Sequence, residues 1–187
     1  MTTTVNPWKI LGKQEVYDNP WINVTAYDVI NPRGGKGIYG KVHFKNIAIG
    51  VLVLDEQLNT YLIGQYRFAI DVYTWEIPEG GCPEGTDPLE SARRELLEEA
   101  GLEALHWKEL LRMHLSNSVS DELAIVYLAT GLIQKSPQPE ETEQLTIRKL
   151  PLETAFAMVE DGLITDAISV AAFQKAALMQ HKGTRLV

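Results

Sequence analysis

The chain is poor in cysteine: among its 187 residues only Cys82 is present, so no internal disulfide can hold the fold. That scarcity predicts a reducing compartment, and a lone thiol with no companion His/Asn arrangement argues against thiol nucleophile chemistry. Basic charge is also short. Seventeen Lys+Arg against 25 Asp+Glu leave a net charge of −8, with a pI near 5.0. Such a balance lacks the basic footprint that nucleic-acid binding requires, and any anionic substrate would need a local cation to offset the field. Long apolar runs are missing as well. The longest, Ile47–Leu54, falls far short of the roughly 20 residues that cross a bilayer. The opening Met-Thr-Thr-Thr-Val-Asn-Pro has neither the basic nor the apolar region of a signal peptide. These absences predict a soluble, cytoplasmic protein with no nucleic-acid partner and no membrane partner.

What remains is ordinary globular composition, 45% apolar and 22% charged, with no repeat or low-complexity tract. Val16 to Ile30 reads as strand, Arg33-Gly34-Gly35-Lys36-Gly37 as a turn, and Ile38 to Lys45 as a second strand. This predicts an N-terminal β-hairpin subdomain over 1–45 and a second domain over 46–187. In the latter, strands are expected at Ile47–Leu54, Thr60–Tyr66, Thr74–Ile77, Lys108–His114, Leu123–Ala129 and Leu145–Lys149. Helices are expected near Pro88–Ala100, Pro151–Glu160 and from a Thr165 or Asp166 cap to about Gln180. Strands and helices mix without regular βαβ alternation, which favours α+β or a sandwich with helices on its faces.

The chemistry concentrates in one helix. Asp87 is a good N-cap, Pro88 suits the first position, Glu90 completes a capping-box pattern and Gly101 a stop. On that helix Glu95, Glu98 and Glu99 fall at i, i+3 and i+4, so their carboxylates crowd one face. Two carboxylates about 5–6 Å apart repel by roughly 3 kcal/mol at an effective dielectric near 20. A solvated acidic surface tolerates that, and so does a bound hard divalent ion such as Mg²⁺. The four histidines, His43, His106, His114 and His181, have no spacing that suggests a metal site.

The register from Gly80 through Arg94-Glu95-Leu96-Leu97-Glu98-Glu99-Ala100-Gly101-Leu102 resembles the Nudix box, Gly-x5-Glu-x7-Arg-Glu-U-x-Glu-Glu-x-Gly-U, where U is bulky and aliphatic. Thr86 stands where the box has its internal Glu. The resemblance implies an α/β/α sandwich that hydrolyses a nucleoside diphosphate linked to another group, with Mg²⁺ or Mn²⁺. Gly64-Gln65-Tyr66-Arg67 and Trp75-Glu76-Ile77-Pro78-Glu79-Gly80 look like the ADP-ribose and nucleotide-sugar pyrophosphatase branch, whose dimer-forming subdomain the N-terminal hairpin is similar to. Asn117-Ser118 replaces that branch's Pro-Gly pair before Ser120-Asp121-Glu122, which leaves the sugar open.

By that resemblance Glu95 and Glu99 bind metal, Glu98 bridges or supports, and the Glu79 backbone carbonyl supplies a further ligand. Arg67 looks like the diphosphate clamp, a guanidinium fork matched to phosphate oxygens, with Glu76 beside it as substrate-binding. Glu141 and Glu143 fall where related enzymes carry the catalytic carboxylate on a loop, with Glu98 as the other candidate base. Trp21 and Tyr39 look like the rings that sandwich the base across a homodimer, although both could equally pack the hairpin. The expected activity is hydrolysis of a nucleoside diphosphate sugar. A dinucleoside polyphosphate pyrophosphohydrolase and a non-catalytic nucleotide sensor remain alternatives; retention of all three box glutamates speaks against the sensor.

Overall fold

The computed structural model describes residues 5–136 and 144–187. Its contacts divide the chain into two compact units. The described residues up to Asn46, with His114–Glu122, form one; Ile47–Met113 and the described residues from Leu123 onward form the other.

The first unit is an antiparallel sheet of three strands, not the two expected: β1 (Lys9–Asp18), β2 (Ile22–Ile30) and β3 (Lys36–Phe44), in that order. β1 escapes a pattern reading because its pairing with β2 slips between Ile10 and Gly12 and again between Glu15 and Tyr17. Each slip breaks the two-residue alternation that marks a strand in sequence. Asn19 turns the chain between β1 and β2, its side-chain oxygen accepting from Trp21 N at 2.9 Å and Ile22 N at 2.7 Å. The segment 114–122 joins this unit through β3. Val42 N donates to Val119 O at 2.9 Å, and Asp121 binds Lys41 Nζ at 2.6 Å and His43 Nδ1 at 2.9 Å.

The second unit holds, apart from the end residues Asn46 and His114, β4 (Asn46–Val53), β5 (Asn59–Arg67), β6 (Val72–Glu76), β7 (Glu79–Pro83), α1 (Pro88–Ala100), β8 (Leu102–His114), β9 (Leu123–Gln134), β10 (Thr146–Pro151), α2 (Leu152–Glu160) and α3 (Ala167–His181). Two sheets form, β7-β4-β9-β8 and β10-β5-β6. β4 and β9 run parallel, and residue parity in them sorts the layers. Ile49, Val51, Val53, Ile125, Tyr127 and Ala129 share a core with Ala92, Leu96 and Ala100 of α1. On the other face a Cβ at Gly50 would overlap Ile168 of α3. Helices therefore cover both faces of a sheet whose central strands are buried on both sides, an α/β/α sandwich within an α+β chain. Among the described residues no helix is long and apolar enough to cross a membrane.

Local signals explain the elements that carry the site. Asp87 caps α1 by accepting from Leu89 N at 3.0 Å, and Gly101 ends it at φ 62°, where a side chain would be strained. The expected capping box does not close: Glu90 bonds Arg93 at 3.0 Å instead. Asp166, not Thr165, caps α3, accepting from Ser169 N at 2.7 Å. β7 is an unexpected strand, because Gly80-Gly81-Cys82-Pro83 reads as a turn until its pairing with β4 is known. Its Cys82 is fully buried, with Sγ directed to the carbonyls of Pro83 and Thr86.

Candidate active site

Residues 76–80 leave β6, pass Pro78 and enter β7 under three restraints. Val51 N donates to Pro78 O at 2.8 Å, Ile77 N to the buried Ser169 Oγ at 2.9 Å, and Glu79 N to Glu99 Oε2 at 2.8 Å. The segment is thereby stretched between β4, α3 and α1. Gly80 then lies directly under Glu95, whose carboxyl group a Cβ would overlap, so only glycine allows this approach. Glu95 and Glu99 are 8% and 3% exposed, which excludes a simply solvated acidic face for these two. Glu98 is partly exposed and binds Arg94 Nη1 at 2.9 Å. Arg94 also donates through Nη2 to Glu95 Oε1 at 2.7 Å and to Gly81 O at 2.9 Å. Burial works against the Arg94 charge, but Glu95 and Glu98 outweigh it and raise its pKa.

A second group sits beside this face. Arg67, at the end of β5, donates through Nε to Glu76 Oε2 at 3.1 Å. Its Nη2 lies 2.7 Å from Glu76 Oε1 and 2.6 Å from Glu79 Oε1. Gln65 Nε2 adds a bond to Glu76 Oε1 at 2.5 Å. Burial raises the Glu76 pKa despite the pull of Arg67, and it raises that of Glu79 further, with Asp166 and Glu76 adding repulsion. Arg67 is held above its ordinary value by Glu76 and Glu79 even though its burial opposes the charge. Glu79 Oε2 is buried with no hydrogen-bond partner.

The structure thus gathers Arg67, Glu76, Glu79, Glu95, Glu98 and Glu99 around one strand-to-helix passage of the second unit. The Arg67 fork is engaged by two carboxylates. Trp21 and Tyr39 lie apart in the first unit. Register puts Tyr39 opposite Tyr27, six residues along β2 from Trp21, or about 20 Å at strand spacing. Trp21 is 65% exposed. Tyr39 meets the Trp8 ring edge-on at 5.4 Å and donates its hydroxyl to Ser118 O at 2.5 Å. Trp8, Tyr27, Tyr39 and Lys41 help line a cleft of about 380 Å³. Glu141 and Glu143 lie outside the described residues.

Three neighbours of these groups were not legible in the sequence. Asp166 was legible only as a helix cap, since its proximity to Glu76 and Glu79 depends on how α3 packs. The Glu79 side chain meets Arg67 only because β5 and β7 converge. Trp8 precedes β1, and nothing in its local sequence marks its ring contact with Tyr39. The oxygen donors of α1 suit a hard divalent cation, and the room that Gly80 leaves beside Glu95 is consistent with ligands brought close to the backbone.

Comparison with known proteins follows the same outline. Residues 44–170 match the model of the NUDIX domain, and residues 8–42 that of the nucleoside diphosphate sugar hydrolase N-terminal domain. The chain is 34% identical over 128 residues to an ADP-ribose pyrophosphatase of Mycobacterium tuberculosis, covering 66% of this chain and 61% of that protein. It is 27% identical over 180 residues to an ADP-ribose pyrophosphatase of Bacillus subtilis, covering 93% and 97% of the two. Its fold matches a crystal structure of an ADP compounds hydrolase with a TM-score of 0.85 at 21% identity, over 98% of this chain and 100% of that one. With a NUDIX domain over 44–170, most of its length, the chain belongs to the Nudix family.

Proposed function

We propose that the chain hydrolyses the diphosphate bond of a nucleoside diphosphate sugar, ADP-ribose or a close relative, to a nucleoside monophosphate and a sugar phosphate. The observation that carries this reading is the burial of Glu95 and Glu99 against the Glu79–Gly80 backbone, with an arginine fork beside them. The N-terminal match and the names of the two pyrophosphatases support the sugar-nucleotide class.

Glu95, Glu98, Glu99 and the Glu79 carbonyl would hold Mg²⁺, or Mn²⁺ in its place. When bound, such an ion supplies an acidified water and offsets diphosphate charge. The chain's own residues do the rest. Arg67 gives paired donors to phosphate oxygens, trading part of its contact with Glu76 and Glu79 for the substrate. A carboxylate, Glu141 or Glu143 or else Glu98, takes the proton from the attacking water. The new P–O bond forms as the bridging P–O bond breaks, and the departing phosphate leaves as a monoester. Trp21 and Tyr39, one from each subunit of a homodimer joined through the N-terminal sheet, stack on the base. With Cys82 the sole cysteine, a reducing cytoplasm is the setting in which this chemistry is placed.

The test is a substrate panel with Mg²⁺: ADP-ribose, ADP-glucose, GDP-mannose, UDP-glucose and diadenosine polyphosphates, read as monophosphate released. Turnover of a nucleotide sugar above the others is expected. Turnover confined to diadenosine polyphosphates would overturn the substrate class. Binding without turnover of any compound would overturn the enzyme.

A further inference from the structure

Beside the box helix the fold assembles another set of hard oxygen donors. One carboxylate oxygen each from Glu76, Glu79 and Asp166 lies within 4.8 Å of the others. They arrive from the end of β6, the start of β7 and the N-cap of α3, so only packing brings them together. Glu76 is 1% exposed, and the Glu79 side chain is 10% exposed, nine-tenths buried. Three carboxylates here face one guanidinium, Arg67, which leaves 3 − 1 = 2 negative charges unmatched within the group. With Glu76 and the Glu79 side chain buried and Asp166 partly so, like charges at this spacing cannot all persist without a counter-charge.

The hydrogen bonds show which atom is waiting for a partner. Arg67 engages both oxygens of Glu76 and Oε1 of Glu79. Asp166 spends Oδ2 on the Ser169 amide. Glu79 Oε2 is buried with none, the only charged side chain in that condition among the described residues. A carboxylate oxygen has acceptor capacity and nothing to donate, so only a cation or a donor can satisfy it.

We propose that the side chains of Glu76, Glu79 and Asp166 form a second divalent-cation site, distinct from the box carboxylates. It takes a hard ion of the Mg²⁺, Mn²⁺ or Ca²⁺ class, with Glu79 Oε2 as its central ligand. All-oxygen ligation in which three carboxylates leave room for water is the donor set such ions prefer. The site rests on side-chain geometry and holds whether or not the chain cleaves nucleotide sugars. Glu79 belongs to both assemblies by different atoms: its amide binds Glu99, and its carboxylate belongs here.

The experiment is equilibrium dialysis of the full-length protein against Mn²⁺ at neutral pH, with bound ion counted by electron paramagnetic resonance and folding checked by circular dichroism. Wild type should bind at least one Mn²⁺ more than Asp166→Asn, a variant in which asparagine still caps α3. Glu79→Gln should lose the same ion, because it keeps the backbone carbonyl. Glu99→Gln should lose a different one, so that Glu99→Gln/Asp166→Asn loses both. Equal Mn²⁺ counts in wild type and folded Asp166→Asn would overturn the site. So would a wild-type count that Glu99→Gln alone removes, since the cluster would then be neutralised by a proton. Should Glu79→Gln fail to fold, Glu76→Gln takes its place, with the same lost ion expected and an unchanged count overturning the proposal.

Discussion

The two units of this protein differ in what they put inside. The catalytic unit puts charge inside: Glu76, Glu95 and Glu99 are 1%, 8% and 3% exposed. The N-terminal unit puts almost nothing inside: among its described residues Val29 alone is buried, while Ile10, Trp21 and Ile38 are 64%, 65% and 84% exposed. Buried carboxylates cost stability unless bonded or counter-charged, so a fold that keeps them has fixed their positions for another purpose. Exposed rings and aliphatic chains on a three-stranded sheet cost little in the isolated unit but seek cover. The first pattern describes a site preorganised by its own packing. The second describes a sheet with little core of its own, whose exposed rings the base and a second copy of the chain would cover under the proposed function.

That contrast can be broken most sharply at Glu99. Glu99→Gln keeps volume and hydrogen-bonding capacity but removes charge, and kcat should fall by at least about 10²-fold, as when a group that stabilises charge in the transition state is lost. Thermal stability should hold or rise. Near-normal turnover at saturating Mg²⁺ would mean the buried carboxylates serve another purpose.

Gly80→Ala tests the packing that buries them. The new methyl must displace the Glu95 carboxyl group, the far end of a flexible side chain that can swing aside. A reduced rate with a melting temperature little changed is expected. An unchanged rate in a folded variant would show that Glu95 need not lie against the backbone.

In the N-terminal unit the effect should fall on affinity. Trp21→Ala and Tyr39→Ala should each raise KM for a nucleotide sugar by roughly 10-fold, from stacking of about 1–3 kcal/mol per ring, with kcat less affected. Light scattering should show a dimer in the wild type. A fully active monomer would end the shared-site idea, and an unmoved KM would return both rings to packing.

The smallest effect concerns acid stability. Burial pushes the Asp55 carboxyl upward, but bonds from Lys149, Asn59 and Gln57 outweigh it and hold the pKa at about 2 against an ordinary 3.8. A carboxylate depressed on folding stabilises fully above pH ~4 and loses that contribution as pH falls through ~2. Asp55→Asn should therefore cost about 1 kcal/mol near neutral pH, and urea midpoints of the two proteins should converge towards pH ~2. A gap that stays constant with pH would point to lost bonds, not lost charge.

Local chemistry made much of the catalytic unit legible. Asp87, Pro88 and Gly101 bound α1 where a cap, a fixed φ and a left-handed residue are needed, and helical spacing alone put Glu95, Glu98 and Glu99 on neighbouring positions. β1 and β7 were not legible. The first loses alternation to register slips, and the second is written in residues that favour turns. The association of 114–122 with β3 pairs Val42 with Ser120, 120 − 42 = 78 positions apart, a pairing no short-range pattern encodes.

The sequence by itself determined the family, the carboxylate helix and its caps, because each depends on residue type at fixed short spacing. Tertiary structure alone decided which charges are buried and which meet. Glu76, Glu79 and Asp166 converge, with Arg67 against the first two, because β5, β6, β7 and α3 pack around one passage of chain. A carboxylate's chemistry depends on the neighbours that packing supplies, and those neighbours lie up to 99 positions away along the chain, from Arg67 to Asp166.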